Sequence, residues 1–209
     1  MIDIPRRIWR LYASCAWPLR LMAWARTWIC PFDQLMSFVS ATSQVLEIGC
    51  GTGVFANLVA LDGPDRLVTG CDISVPAITA AQQTVGNRRN IKFVLQRVED
   101  AVTTERADVI AAIDLFHHLA PDTQVSVLRS IYEGMKADGT FLLKDIDRRP
   151  RWKYFANVLH DAIMAPCSRI YCRTQEDYRQ LLESIGFRVQ IIPMHALWYS
   201  HVLYICRRL

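Results

Sequence analysis

The segment with the clearest chemical potential is a glycine-rich turn that follows a short apolar run. Its acid and its glycines occupy alternate positions: Glu47, Gly49, Gly51 and Gly53. Glycine permits a tight turn and lets the backbone approach a ligand with no side chain in between. A turn of this kind at the end of a buried strand predicts a site for a nucleotide-like cofactor, with Cys50 among the contacting residues.

The glycines alone are compatible with two cofactors. Residues 51–56 fit the dinucleotide pattern G-x-G-x-x-A, and Tyr132 with Lys136 fits the Tyr-x-x-x-Lys pattern of short-chain dehydrogenases. The charge of Glu47 favours S-adenosylmethionine instead, because an acid would repel a pyrophosphate but suits a cationic methionine group. Asp72, which ends the next predicted strand, can accept hydrogen bonds from both hydroxyls of a ribose.

Strand-like and helix-like patterns alternate along the chain from residue 45 onward. The predicted strands are Val45–Ile48, Leu67–Cys71, Ile91–Leu95, Ala107–Ile113, Thr140–Lys144, Phe187–Ile192 and Leu197–Cys206. The predicted helices are Val54–Leu61, Val75–Val85, Thr123–Lys136 and Glu176–Ile185. This alternation predicts a doubly wound, Rossmann-like α/β domain. In such a sheet, ligands bind beyond the carboxyl ends of the strands.

Several motifs in combination resemble the class I S-adenosylmethionine-dependent methyltransferases of the small-molecule type. They are the glycine-rich turn, Asp72, the segment 114–119 (Asp-Leu-Phe-His-His-Leu) and the Gly139 turn before the fifth strand. The resemblance covers about residues 33–206 and extends loosely to enzymes of quinone biosynthesis. It implies a seven-stranded sheet whose last strand is antiparallel.

The resemblance also implies roles at the methionine and ribose ends of the cofactor. Glu47 and Gly49 would hold the methionine end, and Asp114, after the fourth strand, would line the same pocket. Asp72 would bind the ribose.

The adenine end is expected to lie against Ile73. The position that usually supplies an aspartate to the adenine edge is Arg97 in this chain. Contacts to that edge are therefore expected from the backbone of Val98 or from Glu99.

Methyl transfer needs mainly alignment of the acceptor, the methyl group and the sulfur, with a general base only where the acceptor must lose a proton. Asp145, after the fifth strand, and His117, after the fourth, are the candidates for catalysis. His117 is equally compatible with the start of a packed helix, and Lys144 and Asp147 with a surface ion pair. The seven cysteines show no zinc-ligand spacing, so no metal site is predicted.

The chain divides into an N-terminal amphipathic helical extension or lid, residues 1–32, and a methyltransferase domain, residues 33–209. Within the domain, residues 148–173 form an insertion expected to shape the acceptor pocket. The aromatic content of this insertion and of the extension predicts a small hydrophobic or aromatic acceptor, either free, lipidic or carrier-bound.

The first 30 residues carry five arginines and one aspartate, in a helical pattern that is broken near Pro18. Three interpretations compete: a lid over the domain, contact with an anionic membrane surface, or docking of an acidic carrier protein. The other 179 residues have no net charge, which argues against a nucleic-acid partner. Scattered cysteines without a pairing pattern favour a cytoplasmic location, with peripheral membrane contact left open.

Two functions from other classes also remain open from the sequence. One is an NAD(P)-dependent oxidoreductase, which the glycine pattern permits. The other is a non-catalytic subunit that binds S-adenosylmethionine for a partner. Binding of S-adenosylhomocysteine rather than NADH excludes the first, and turnover of any acceptor excludes the second.

Overall fold

The computed structural model describes residues 3–147, 170–196 and 199–208. The strands are β1 (Gln44–Ile48), β2 (Leu67–Asp72), β3 (Ile91–Leu95), β4 (Val109–Ile113), β5 (Thr140–Ile146), β6 (Phe187–Ala196) and β7 (Tyr199–Arg208). The helices are α1 (Ile4–Leu11), α2 (Trp17–Ile29), α3 (Phe32–Met36), α4 (Val54–Asp62), α5 (Val75–Gln83), α6 (Val98–Thr104), α7 (Pro121–Gly134) and α8 (Gln175–Ile185). A short 3₁₀ turn covers Phe116–His118.

The strands form one seven-stranded sheet in the order β3-β2-β1-β4-β5-β7-β6. β1 to β5 run parallel, and β7 runs antiparallel to both of its neighbours. This topology confirms the predicted Rossmann-like sheet with an antiparallel last strand. The parallel strands end at one edge, which brings the glycine-rich turn, Asp72 and Asp114 to the same side of the molecule.

The sheet is covered on both faces, as its near-continuous apolar strands require. Alternate residues point to opposite faces, so Val45 joins one buried cluster and Leu46 the other. The first cluster includes residues of α1, α2 and α4, and the second includes residues of α6, α7 and α8. The N-terminal helices therefore share a hydrophobic core with the sheet.

The break near Pro18 predicted in the N-terminal segment lies between α1 and α2. Pro18 occupies the first turn of α2, where its missing N–H would have no intrahelical partner. Asp3 caps α1, because its side chain accepts a hydrogen bond from the backbone N–H of Arg6 at 3.1 Å. Ile8, on the inner face of α1, is fully buried.

The structure differs from the sequence prediction mainly in short elements. The sequence patterns predict neither α3 nor α6. The start of α6 is polar and therefore resembles a turn. Glu99 and Asp100 lie in the first turn of α6, where acids interact favourably with the helix dipole. Residues 148–169, most of the predicted acceptor-pocket insertion, lie outside the described residues.

The described residues also bear on disulfides, metal sites and membrane spans. The six cysteines described there are free thiols. Within the same residues, no three His, Cys, Asp or Glu side chains are grouped so that they could hold a metal ion. None of the helices described there combines the length and the hydropathy that crossing a bilayer requires.

Candidate functional site

The glycine-rich turn joins β1 to α4 with a left-handed backbone. Gly49 has a φ of 64°, and a Cβ there would lie 2.6 Å from the Leu115 side chain. Gly51 has a φ of 53°, but a Cβ there would meet no protein atom within 4 Å. Gly49 is therefore required by packing as well as by conformation. At Gly51 the neighbouring space is open, so a ligand can approach the backbone.

Asp72, the last residue of β2, holds the turn in place. Its Oδ2 accepts a hydrogen bond from the N–H of Gly51 at 2.8 Å, and its Oδ1 accepts one from the N–H of Ser74 at 2.9 Å. A carboxylate offers about four lone pairs, so each oxygen can accept a further hydrogen bond. Asp72 can thus fix the turn and receive two ligand hydroxyls at once.

A cavity of about 150 Å³ lies beside Asp72. Residues predicted to bind the cofactor are among those that line it: Gly49, Asp72, Ile73, Arg97 and Val98. Ile73 is 75% exposed, an apolar side chain available to cover a flat ring. The exposed Arg97 lies 3.5 Å from Glu99. A larger cavity of about 250 Å³ occupies the opposite edge of the sheet, beside Gln44 and Leu67, far from these residues.

Glu47 is buried at the end of β1 and faces the first turn of α4. Its Oε2 accepts a hydrogen bond from the backbone N–H of Ala56 at 2.9 Å. Burial raises the pKa of Glu47 to about 8, against the lowering effects of this hydrogen bond and of Arg26. Glu47 therefore links β1 to α4 and is largely protonated at neutral pH. The negative charge that the sequence predicts at Glu47 is thus found on Asp114, at the end of the neighbouring strand.

Asp114 follows β4 and lies between two cations. Its Oδ1 accepts a hydrogen bond from Lys144 Nζ at 2.5 Å, and its Oδ2 accepts one from Arg26 Nη2 at 3.0 Å. Although burial acts to raise it, Lys144 and Arg26 hold the pKa of Asp114 well below its usual range. Among the described residues, Asp114 is the non-glycine residue with a positive φ, 57°. Such strained positions concentrate at functional sites.

Lys144 is fully buried. A surface ion pair, which the sequence left open for Lys144, is therefore wrong, because its ammonium group is buried against Asp114. His201 of β7 lies next to it, with Nε2 3.4 Å from Lys144 Nζ and 3.1 Å from the carbonyl oxygen of Ile29. Burial, followed by the charge of Lys144, lowers the pKa of His201 to about 3, so the ring is neutral at physiological pH.

Arg26 of α2 and Tyr12, which directly follows α1, reach this edge of the sheet, and sequence reasoning missed both. Tyr12 donates a hydrogen bond from its hydroxyl to the carbonyl oxygen of Thr52 in the glycine-rich turn, at 2.6 Å. Arg26 reaches Asp114 from α2. The sequence held one indication of the role of Arg26: it is the arginine of α2 that lies on the side of the helix opposite the tryptophans. A partner 88 residues away in sequence gave no local pattern.

The comparisons with known proteins agree with this geometry. A family model described as "Methyltransferase domain" matches residues 25–191. The chain belongs to this methyltransferase family. Membership assigns methyl transfer as the reaction of the family and S-adenosylmethionine as its methyl donor.

Relatives of the methyltransferase span different shares of its length. Thiocyanate methyltransferase 1 of Brassica oleracea is 28% identical over 162 residues, which cover 68% of this chain and 71% of the relative. A ubiquinone biosynthesis O-methyltransferase of Haemophilus ducreyi is 32% identical over 112 residues, or 50% of this chain and 46% of the relative. The matched region thus spans about half the length of the ubiquinone enzyme.

Solved structures share the fold of the methyltransferase. Magnesium protoporphyrin IX methyltransferase from Synechocystis, with bound S-adenosylhomocysteine, has a TM-score of 0.66 and 20% identity over 85% of this chain and 81% of that one. The pyocyanin biosynthetic protein PhzM has a TM-score of 0.75 and 16% identity over 95% of this chain and 60% of that one. At these identities the likeness concerns the fold.

The methyltransferase residues at this edge fit a donor with a ribose and a charged methionine end. The open backbone at Gly51 and the two acceptor oxygens of Asp72 suit the ribose. The ionised Asp114, beside the cation of Arg26, offers both signs of charge to an amino acid group. Cys50 is buried within the turn, and burial raises the pKa of its thiol.

The two candidate catalytic residues of the methyltransferase lie together in a second buried group. His117 Nδ1 is hydrogen-bonded to Asp145 Oδ1, and Tyr178 donates a hydrogen bond to Asp145 Oδ2 at 2.7 Å. Burial, followed by the charge of Asp145, raises the pKa of Tyr178. The structure therefore brings His117 and Asp145 into contact, and their catalytic role stays a prediction.

Proposed function

We propose that the methyltransferase transfers the methyl group of S-adenosylmethionine to a small hydrophobic or aromatic molecule. The observation that carries this proposal is the position of α2. Its inner side places Arg26 against Asp114, and the helix itself bears Trp17, Trp24 and Trp28. The tryptophans lie on the outer side of α2, so this helix connects the donor site to an apolar surface from which a hydrophobic acceptor can approach it.

The donor is held through its two ends in this proposal. Asp72 accepts hydrogen bonds from the ribose, and the backbone at Gly51 lies against the same part of the cofactor. Asp114 and Glu47 face the methionine end. A guanidinium matches a carboxylate as a two-pronged donor, so Arg26 is proposed to bind the carboxylate of the methionine.

The names of relatives support an acceptor of this class. The ubiquinone biosynthesis and magnesium protoporphyrin IX enzymes are named for hydrophobic ring compounds. The thiocyanate methyltransferase is named for a small anion instead. A hydrophobic ring compound and a small anion are therefore the two acceptor classes that an experiment must distinguish.

His117 is proposed as the proton acceptor for an acceptor hydroxyl, with Asp145 orienting its ring. The support is the hydrogen bond between Nδ1 and Asp145, which fixes the orientation of the imidazole. The test compares His117→Ala with Tyr178→Phe. If the proposal holds, only His117→Ala lowers kcat by at least about a hundredfold while its affinity for S-adenosylhomocysteine is unchanged. Equal, small losses of kcat in both variants contradict it.

Calorimetry and an acceptor screen test the function itself. The protein should bind S-adenosylhomocysteine and ignore NADH. It should then methylate at least one member of a panel of hydroxylated quinols, phenols and porphyrin carboxylates, measured with a radiolabelled methyl donor. Turnover of thiocyanate alone contradicts the proposed acceptor class. Cofactor binding without turnover of any acceptor supports a non-catalytic partner subunit instead.

A further inference from the structure

A row of large apolar side chains runs along the outer face of α2. Its members are Trp17, Leu21, Trp24 and Trp28, and their spacing of four, three and four residues places them on one side of the helix. Trp17 is 61% exposed and Trp28 is 54% exposed. The opposite side faces the domain, where Ala23 is buried. The four outer residues are called the tryptophan stripe below.

α1 widens the apolar surface beside the tryptophan stripe. Trp9 packs edge-on against Trp17 and Trp24, with ring centroids 5.4 Å and 6.2 Å apart. The guanidinium of Arg20 lies 4.1 Å from the centroid of the Trp9 ring and donates a hydrogen bond to the Trp9 carbonyl oxygen at 2.8 Å. A groove of about 420 Å³ between the helices is lined by Pro5, Arg6, Trp9, Leu21 and Trp24. The two helices thus present one continuous apolar face.

The two helices that form this apolar face also carry the excess positive charge of the chain. Residues 4–32 contain five arginines and no acidic residue, and four of the five are left when Arg26, which is paired with Asp114 on the opposite side of α2, is set aside. Of the 24 basic and 20 acidic residues in the chain, 19 of each lie in residues 31–209, so the rest of the protein is neutral. Arg6, Arg7 and Arg10 of α1 are exposed. Apolar and positive surface therefore coincide on α1 and α2.

A partner surface that matches this face has apolar groups beneath a layer of negative charge. In an anionic bilayer, tryptophan rings sit at the headgroup level, and arginines interact with the lipid phosphates. A helix face is convex, and a fluid lipid surface accommodates it without a preformed groove. We infer that α1 and α2 dock the protein on an anionic lipid bilayer, with the tryptophan stripe at the boundary between headgroups and acyl chains. This docking is independent of the acceptor proposed above.

Docking in this orientation has a geometric consequence for the donor site. The tryptophan stripe and Arg26 lie on opposite sides of one helix, and Arg26 contacts Asp114. The donor site then lies about one helix diameter, roughly 10 Å, from the bilayer. An acceptor dissolved in the membrane would have a short path to it.

Co-sedimentation of the full chain with vesicles tests the docking without any cofactor or acceptor. Wild-type protein should bind vesicles of phosphatidylglycerol and phosphatidylcholine more tightly than vesicles of phosphatidylcholine alone, and added salt should weaken the binding. Trp17→Ala/Trp28→Ala should weaken it by at least about tenfold through lost apolar burial. Quenching of tryptophan fluorescence by brominated lipids should fall in the same variant.

Matched variants elsewhere on the surface serve as controls. Leu67→Ala/Leu95→Ala removes two side chains of similar exposure, 55% and 54%, from another part of the surface, and should bind vesicles as the wild type does. The triple change of Arg6, Arg7 and Arg10 to Gln should weaken binding by roughly a hundredfold. The same change at Arg89, Arg106 and Arg129, also exposed, should have far less effect.

Three results would overturn the inference. They are the absence of vesicle binding by the wild type, equal binding by the wild type and the tryptophan variant, and equal losses in the test and control variants. Binding of soluble polyglutamate without binding of vesicles would indicate an acidic protein as the occupant. Circular dichroism of each variant excludes misfolding as the cause of a loss. Because the assay contains no methyl donor, its failure leaves the proposed methyl transfer unaffected.

Discussion

Arg26 Nη2 lies 3.0 Å from Asp114 Oδ2, and this contact joins the N-terminal helices to the carboxyl end of β4. The two residues are 88 positions apart in sequence. Through this ion pair, a helix outside the sheet contributes a charge to the proposed donor site. In that proposal, a segment that lies before the glycine-rich turn in the chain supplies a cation for the cofactor.

The first prediction separates the two ends of the donor. Arg26→Gln should weaken binding of S-adenosylhomocysteine by about 10- to 100-fold, because a hydrogen bond to a charged group contributes about 1.5–3 kcal/mol. Binding of methylthioadenosine, which lacks the amino acid group, should change by less than about threefold. Calorimetry with both ligands measures the difference, and Arg129→Gln on α7 is the control. Equal losses for both ligands would contradict the proposed role of Arg26.

Asp72→Asn should weaken the binding of S-adenosylhomocysteine and of methylthioadenosine to a similar extent. The amide retains one oxygen but replaces the other acceptor with a donor, which opposes the N–H of Gly51 and a ribose hydroxyl. The expected loss is at least about tenfold for S-adenosylhomocysteine and for methylthioadenosine. Asp138→Asn, at an exposed turn, should leave both affinities unchanged. Affinities retained in Asp72→Asn would remove the ribose assignment.

Two glycine substitutions test whether the open space beside Gly51 holds the cofactor. Gly51 and Gly86 have nearly equal φ values, 53° and 56°, and a Cβ at either meets no protein atom within 4 Å. Gly51→Ala and Gly86→Ala should therefore lose similar stability, about 1 kcal/mol each, in denaturant unfolding. Only Gly51→Ala should also lose affinity for S-adenosylhomocysteine. If Gly86→Ala lowers the affinity for S-adenosylhomocysteine equally, the open space beside Gly51 is not the cofactor site.

Glu47 should make stability fall with rising pH. An unfolded glutamate ionises near pH 4.5, whereas the pKa of the buried Glu47 is about 8. Between these values the native state holds a proton that the unfolded state has lost, so the free energy of unfolding decreases as pH rises. Glu47→Gln should flatten this part of the curve, measured by urea unfolding from pH 5 to pH 9. The groups that face Glu47, including Arg26 and Asp72, remain in the variant, so the difference reports Glu47.

The burial of Lys144 predicts a large stability effect. Lys144→Met leaves the carboxylate of Asp114 without one of its two cations and should lower the free energy of unfolding by about 3–5 kcal/mol. Lys136→Met breaks an ion pair with Asp108 of the same length, 2.5 Å, but in a partly exposed position. That control should lose less than about 1 kcal/mol. Similar losses in the two variants would show that burial does not decide the effect.

Much of the donor half of the site could be predicted from the sequence, because its signals are local. The glycine-rich turn follows an apolar strand, and Asp72 ends the next one, so strand order alone places them at one edge. Gly49, Asp72, Ile73, Arg97 and Val98 do line one cavity. Residues that follow neighbouring parallel strands meet for geometric reasons, whichever side chains they carry.

The contacts that depend on distant segments could not be predicted. Arg26 and Tyr12 belong to the N-terminal helical segment, whose placement on the sheet is set by the packing of apolar faces. No spacing of residue types in the sequence indicates that placement. A surface ion pair was one alternative for Lys144, because a lysine at a strand end is usually solvated. The burial of Lys144 involves β7, which comes from the far end of the chain and pairs with β5 so that Leu203 lies next to Lys144. The short helix α6 was missed, since two acids in seven residues resemble a turn.

The position of β7 in the sheet has a consequence for the growing chain. β7 is the last strand in sequence, yet it lies between β5 and β6, with Asp145 paired to Val202. During synthesis, β5 therefore keeps one unpaired edge until residues 199–208 have emerged, and such an edge is a template for aggregation. A message truncated shortly before this strand would encode an intact glycine-rich turn but an open sheet. Its product is expected to be cleared by proteases or to aggregate, rather than to persist as a weakened enzyme.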